Sequence, residues 1–220
     1  MRMPIQPDME TEIFVAFFYY HRCFKLFKFQ NGSVSNYNMG LIILPLFKAD
    51  IFIETGTYRA ESLQVAIDSG FYSEFHSIDV DEELISKAQA KYAKQENVHI
   101  YLGTSPDILR EILPNLLNKT ILFWLDAHFQ GISKTELDLK YGECPLLEEL
   151  KVIKELAPHS IIFIDDAFMF GESFWTTAPH AHLFKRDQWP TIKEIEDSLQ
   201  STHILSLNGN IIYCLPKFQQ

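Results

Sequence analysis

Ile53-Glu54-Thr55-Gly56-Thr57-Tyr58-Arg59-Ala60-Glu61-Ser62 marks the point where a short apolar run gives way to helical spacing. Ile51–Glu54 reads as a buried strand and Ala60–Ser69 as the helix that follows it. Gly56 carries no Cβ, so the chain can turn sharply there and its backbone can approach a ligand closely. Glu54, at the end of the strand, is placed to accept a hydrogen bond from a cationic amino group.

The same alternation continues along the chain. Glu74–Asp79 reads as a second strand and Glu82–Lys94 as its helix. Leu84, Ile85 and Ala88 form the apolar stripe of that helix, and acids open its first turn. Val98–Leu102 is a third strand, Pro106–Leu117 its helix, and Ile121–Leu125 a fourth strand. A long connection, Ala127–Glu143, leads to a helix over Pro145–Leu156, with proline at the start, where its missing N–H costs nothing. Ser160–Ile164 is the fifth strand and Thr191–Leu199 a later helix. His203–Leu207 and Asn210–Cys214 flank Asn208-Gly209, a strong hairpin signal. Five strand–helix repeats imply parallel strands joined by right-handed crossovers, and the terminal hairpin adds one antiparallel strand. Before all this, Glu12–Phe29 reads as a helix and Asn31–Asn38 as a polar loop. The expected division is a helical extension over 1–48 and one α/β domain over 49–220.

Composition narrows the function classes. The 220 residues are 47% hydrophobic, which predicts a sizeable core. The formal charge is -10 and the pI about 5.2, so the basic footprint of a phosphate-tracking protein is missing. A small-molecule partner is expected, and nucleic acid is not. Cys23, Cys144 and Cys214 are an odd number without CxxC spacing, which predicts reduced thiols rather than a disulfide framework or a zinc site. Met1–Glu12 lacks the basic leader of a signal peptide, and the apolar runs Ile13–Tyr20 and Leu41–Phe47 are too short to span a bilayer. The expectation is a soluble, cytoplasmic protein without a transmembrane segment. The aromatic N-terminal segment is expected to pack on its own domain, or to join two copies into a homodimer.

In doubly wound sheets ligands bind beyond the carboxyl ends of the strands. Asp79, closing Ser77-Ile78-Asp79-Val80-Asp81, can take both hydroxyls of a ribose, while Asp81 reads as a helix N-cap. Gly103-Thr104-Ser105 makes a turn that can border an adenine. A phosphate-binding G-x-G-x-x-G would offer several glycines to a pyrophosphate, whereas this chain offers one beside an acid that would repel it. Trp124-Leu125-Asp126-Ala127-His128 and Ile164-Asp165-Asp166-Ala167 end neighbouring strands, about 4.8 Å apart. Their three carboxylates repel one another unless protons or a cation intervene, and oxygen ligands in that number suit Mg²⁺. Phe168–Trp189 is rich in aromatic residues, which fit either a sugar-binding surface or a satellite hydrophobic cluster. His180 and His182 read as surface histidines.

The run from Glu54 to Ala60 resembles motif I of class I S-adenosylmethionine-dependent methyltransferases, acid-x-Gly-x-x-x-Gly, with Ala60 where the last glycine is usual. The two acidic strand ends, with Glu54-Thr55-Gly56-Thr57 upstream, resemble the macrocin-type O-methyltransferases, which modify sugar hydroxyls. This resemblance spans about Ile51 to Phe168. It implies a class I methyltransferase Rossmann-like α/β sheet, mostly parallel with a C-terminal antiparallel hairpin strand. It implies S-adenosylmethionine held by Glu54, Thr55, Gly56, Thr57, Tyr58, Ser62, Asp79, Gly103, Thr104, Ser105 and Asp126. It further implies Mg²⁺ on Asp126, Asp165 and Asp166, with Asp126 or His128 as the base that deprotonates a sugar or other small acceptor. The rival readings are an NAD-linked oxidoreductase and a non-catalytic interaction module on the same sheet.

Overall fold

The computed structural model describes residues 47–116, 118–129 and 140–217. The expected Glu12–Phe29 helix, the Asn31–Asn38 loop and most of the proposed 1–48 extension lie outside them, as does the centre of the Ala127–Glu143 connection.

Among the described residues seven strands form one sheet: β1 Ile51–Thr55, β2 Glu74–Asp79, β3 Val98–Leu102, β4 Ile121–Leu125, β5 Ile161–Ile164, β6 His203–Asn208 and β7 Ile211–Pro216. Their order is β3-β2-β1-β4-β5-β7-β6. The first five are mutually parallel, and β7 runs antiparallel between β5 and β6. The chain builds outward from β1 through β2 to β3, then returns to the other side of β1 for β4. That reversal places a switch point between β1 and β4, where ligands of such sheets bind.

The interleaved helices are α1 Glu61–Ser69, α2 Glu82–Tyr92, α3 Ser105–Ile112, α4 Leu146–Leu156, α5 Glu172–Thr177 and α6 Ile192–Leu199. Because side chains alternate along a strand, β1 sends Ile51 and Ile53 to one face and Phe52 to the other. Ile51, Ile53, Phe123 and Ile162 pack under α3, α4 and α6. Phe52, Leu122, Trp124 and Phe163 pack under α1 and α2. Phe52, Phe123 and Phe163 are wholly buried, each contributing roughly 1.5–3 kcal/mol of transfer free energy. Phe47 closes the second core, meeting Phe163 edge to face at 5.1 Å.

Local chemistry sets the element ends. Asp81 caps α2 by accepting from the Leu84 N–H, and Thr191 and Glu194 form a reciprocal capping box on α6. Helix α3 stops earlier than the spacing predicts. Pro114 lacks an N–H and crowds the preceding turn, so the chain tightens into a 3-10 turn over Leu113–Asn115. Pro145 sits one position before α4 rather than inside its first turn. Helix α1 begins at Glu61 because Ala60 is left-handed, with φ 55°. Gly209, with φ 62°, opens a two-residue Gly209-Asn210 turn between β6 and β7, one residue later than the Asn208-Gly209 loop the sequence predicts, because Asn208 still pairs with Ile211. Cys144 and Cys214 are buried free thiols. Among the described residues no helix is long and apolar enough to cross a membrane.

Candidate active site

The strand ends converge on a cavity of about 360 Å³. Of the residues expected at the cofactor, Gly56, Tyr58, Asp79, Gly103, Thr104, Ser105 and Asp126 line it. Gly56 runs at φ 85°, and a Cβ there would stand 2.5 Å from the Asp126 carbonyl oxygen. Only glycine lets β1 turn this tightly against the end of β4. The Gly56 N–H donates to the Ile78 carbonyl at 2.8 Å, and the Asp126 N–H to the Thr55 carbonyl at 3.0 Å.

Asp79 is fixed in the cavity wall by two backbone donors, the N–H of Tyr58 to Oδ2 at 2.9 Å and that of Asp81 to Oδ1 at 3.0 Å. Burial nevertheless pushes its carboxyl above the ordinary value. Beside it, Ile78, Val80 and Leu84 add an apolar surface. A carboxylate next to an apolar wall suits a ribose carrying a flat base.

Glu54, Thr55, Thr57 and Ser62 do not line the cavity. They form an inner layer beneath Gly56. Glu54 is completely buried, accepting from Ser62 Oγ at 2.5 Å and Ser77 Oγ at 2.6 Å. Ser77 in turn shares a 2.6 Å hydrogen bond with Thr57. Desolvation pushes the Glu54 carboxyl up to about 8, against the lowering effect of its two hydroxyl donors. Both Glu54 carboxylate oxygens accept from hydroxyls, and Asp79 and Asp126 are strand-end acids that line the cavity.

At the other end Asp126, His128 and Asp166 meet, each with a ligand atom within 4.8 Å of the others. His128 Nε2 lies 3.4 Å from Asp126 Oδ1 and 3.1 Å from Asp166 Oδ2, while Nδ1 lies 3.2 Å from the Phe129 carbonyl. Both ring nitrogens thus face acceptor oxygens, as an imidazolium requires. Burial opposes the charge, but the hydrogen bonds to Asp126 and Asp166 outweigh it and push His128 up to about 10. Held this way, His128 is a counter-ion to two acids rather than a free base. Asp166 reaches the site from a left-handed backbone, φ 53°, of the kind that collects at functional sites. Asn210, from the hairpin turn, donates to Asp166 Oδ1 at 2.8 Å.

Asp165 is buried and its Oδ1 accepts from the Asp166 N–H at 2.8 Å. Its carboxylate is outside the Asp126–His128–Asp166 grouping, so the structure brings together two of the three acids expected on a metal and adds the histidine. The two carboxylates fit a divalent cation, whose charge would replace that of the protonated His128 beside them.

Sequence reasoning did not find Glu143 or Glu149. Glu143 is buried and accepts from the Lys185 N–H and from Trp189 Nε1, at 2.7 and 3.1 Å, tying the segment after β5 to the cavity wall. Glu149 lies buried on α4, where desolvation pushes its carboxyl up to about 7. The heptad-like spacing of α4 could have placed Glu149 on the buried face. Nothing local marks Glu143. The aromatic run after β5 resolves into packing: Phe170, Phe174 and Trp189 are buried in the core, while Phe168 is exposed. His180 and His182 are exposed, as expected of surface histidines.

No protein-family model matches the chain, and no curated protein matches it. Solved structures do. The SAH-bound methyltransferase PaMTH1 of Podospora anserina aligns over 99% of this chain and 100% of its own, with TM-score 0.57 and 13% identity. An O-methyltransferase from Bacillus cereus in complex with SAH aligns over 97% and 93%, with TM-score 0.55 and 14% identity. TomG, the O-methyltransferase of Streptomyces achromogenes involved in tomaymycin synthesis and solved with SAM, aligns over 98% and 93%, with TM-score 0.51 and 15% identity. At such identities the likeness is one of fold. The chain has the class I methyltransferase fold, a mostly parallel seven-stranded sheet closed by an antiparallel hairpin.

Proposed function

We propose that this protein is an S-adenosylmethionine-dependent O-methyltransferase, assisted by a divalent metal, that methylates a hydroxyl of a sugar or another small glycan or natural-product acceptor. The observation that carries the reading is the Asp126–His128–Asp166 cluster at the rim of a cavity built around Gly56 and Asp79. The structural neighbours solved with SAH or SAM support the choice of cofactor, and two of them are O-methyltransferases by name. The sugar class rests on the macrocin-type resemblance of the two acidic strand ends.

S-adenosylmethionine supplies a methyl group on a sulfonium, open to in-line displacement by an oxygen. Asp79 would bind the ribose hydroxyls, Gly56 would admit the cofactor close to the backbone, and Val80 and Leu84 would flank the base. Much of the rate in such a displacement comes from holding the acceptor oxygen in line. Mg²⁺ on Asp126 and Asp166 would lower the pKa of a bound hydroxyl. Asp126 and His128 both line the cavity and belong to the cluster, and Asp126, the carboxylate of the two, would take the acceptor's proton. Once a cation neutralises the two acids, His128 no longer needs its second proton and can share that role.

The test is methyl transfer from labelled S-adenosylmethionine to a panel of glycosylated and free sugar acceptors, with Mg²⁺ or EDTA. Label should enter at least one acceptor with Mg²⁺ and not with EDTA, and Asp126→Asn should reduce it about 100-fold or more. Transfer that is indifferent both to EDTA and to Asp126→Asn would refute the site.

A further inference from the structure

On the face of the sheet beneath α3, towards the amino-terminal ends of β2 and β3, a second cluster joins Glu74, His76 and His99. One ligand atom of each lies within 4.8 Å of the others. His76 and His99 are register partners on adjacent parallel strands, so both side chains leave the same face of the sheet. Glu74 lies two residues before His76 and shares that face. His76 is nearly buried, while Glu74 and His99 keep the site open to solvent, with side chains 29% and 39% exposed.

The geometry points to a transition-metal site of the two-histidine, one-carboxylate type, and we propose that it binds Zn²⁺. Glu74 Oε1 is 3.0 Å from His76 Nε2 and 3.5 Å from His99 Nε2. Ligand atoms about 2.0–2.1 Å from a tetrahedral zinc stand about 3.3 Å apart, so a small adjustment of these side chains seats the ion. His76 also carries the supporting partner that metal-bound histidines have. Its Nδ1 lies 3.1 Å from the Tyr101 hydroxyl, which leaves Nε2 as the nitrogen turned toward Glu74 and His99. The Tyr101 ring stacks with His76 at 6° between planes, fixing the imidazole's orientation. Three protein ligands leave one tetrahedral position for water. Two histidines and a carboxylate favour zinc over Mg²⁺, which prefers oxygen donors.

This site does not depend on the methyl-transfer reading. His76 precedes Asp79 on β2 by three residues, about 10 Å of strand, so the ion would staple the β2–β3 edge rather than meet a substrate at the cavity.

The test uses the full chain carrying Asp126→Asn and Asp166→Asn, which removes the other cluster. Zn²⁺ is titrated against a chromogenic chelator, and Co²⁺ is added separately to read the coordination spectrum. One zinc per chain should bind, Co²⁺ should give the intense visible bands of a tetrahedral site, and saturation should raise the melting temperature. His99→Gln, at a partly exposed position, should weaken zinc at least ~10-fold, and Tyr101→Phe should do so by ~10-fold through His76. Circular dichroism of both variants checks folding. Absence of stoichiometric zinc, or zinc held as tightly by His99→Gln and by Glu74→Gln as by the parent chain, would overturn the assignment.

Discussion

At Gly56 the added Cβ of any other residue would stand 2.5 Å from a backbone oxygen at φ 85°. Gly56→Ala should therefore cost about 1–3 kcal/mol in backbone strain alone, more once Asp126 is displaced, read as a lower melting temperature and lost S-adenosylmethionine binding. Glu54 gives the second residue-level prediction. Burial moves its carboxyl from 4.5 to about 8 in the folded chain. Between those values the folded protein holds a proton that the unfolded chain has released, so stability falls as pH rises through the window. Glu54→Gln, which keeps hydrogen-bonding atoms without the charge, should flatten that slope in denaturant titrations at pH 5 and pH 8. A slope unchanged in the variant would contradict the buried-acid account. Gly56 and Asp79 were legible in the sequence because glycine and a strand-end acid announce themselves. The inward turn of Glu54 was not, since it depends on Ser77 and Ser62 hydroxyls that arrive from another strand and from α1.

Among the elements, the ends of β4 and β5 and the β6–β7 turn make one unit. Asp126 and Asp166 come from adjacent strands, and Asn210 returns from the hairpin to hold Asp166. Asn210→Ala removes that donor and the Oδ1 that accepts from the Phe168 N–H at 3.1 Å. Mg²⁺ affinity measured by calorimetry should fall about 10-fold while the hairpin still folds. The strand-end acids could be read from the sequence, but not which of Asp165 and Asp166 faces the site. That choice is made by the left-handed backbone at Asp166, which a run of two aspartates does not encode. A similar limit applies to helix ends. Pro114 could have shortened α3 in advance, whereas the left-handed Ala60 gives no local sign. The clasp made by Glu143 is also an element-level feature, since it joins residues more than forty positions apart. Glu143→Ala should lower stability by roughly 1–3 kcal/mol by leaving the buried Trp189 N–H without its acceptor, measurable by thermal melting.

For the whole molecule, alternation of apolar runs and helical stretches was enough to define a mostly parallel α/β sheet. Its order, with β1 between β2 and β4, was not legible, because strand neighbours are set by crossovers that leave no pattern in the chain. Three glutamates near the site, Glu54, Glu143 and Glu149, are buried at the margins of the two cores. Glu54 and Glu149 sit where the strands end and the helices begin, so the apolar layers themselves remain free of charge. The overall charge of -10 fits a small or uncharged acceptor, and the cavity concentrates acids where a sulfonium and a divalent cation would both be welcome. The most direct test of this account is calorimetric titration of the full chain with S-adenosylmethionine and, in parallel, with NAD. One S-adenosylmethionine per chain should bind, NAD should not, and Asp79→Asn should weaken binding roughly 10- to 100-fold through the lost charged hydrogen bonds. Tight binding of NAD alone, or S-adenosylmethionine binding untouched by Asp79→Asn, would contradict it.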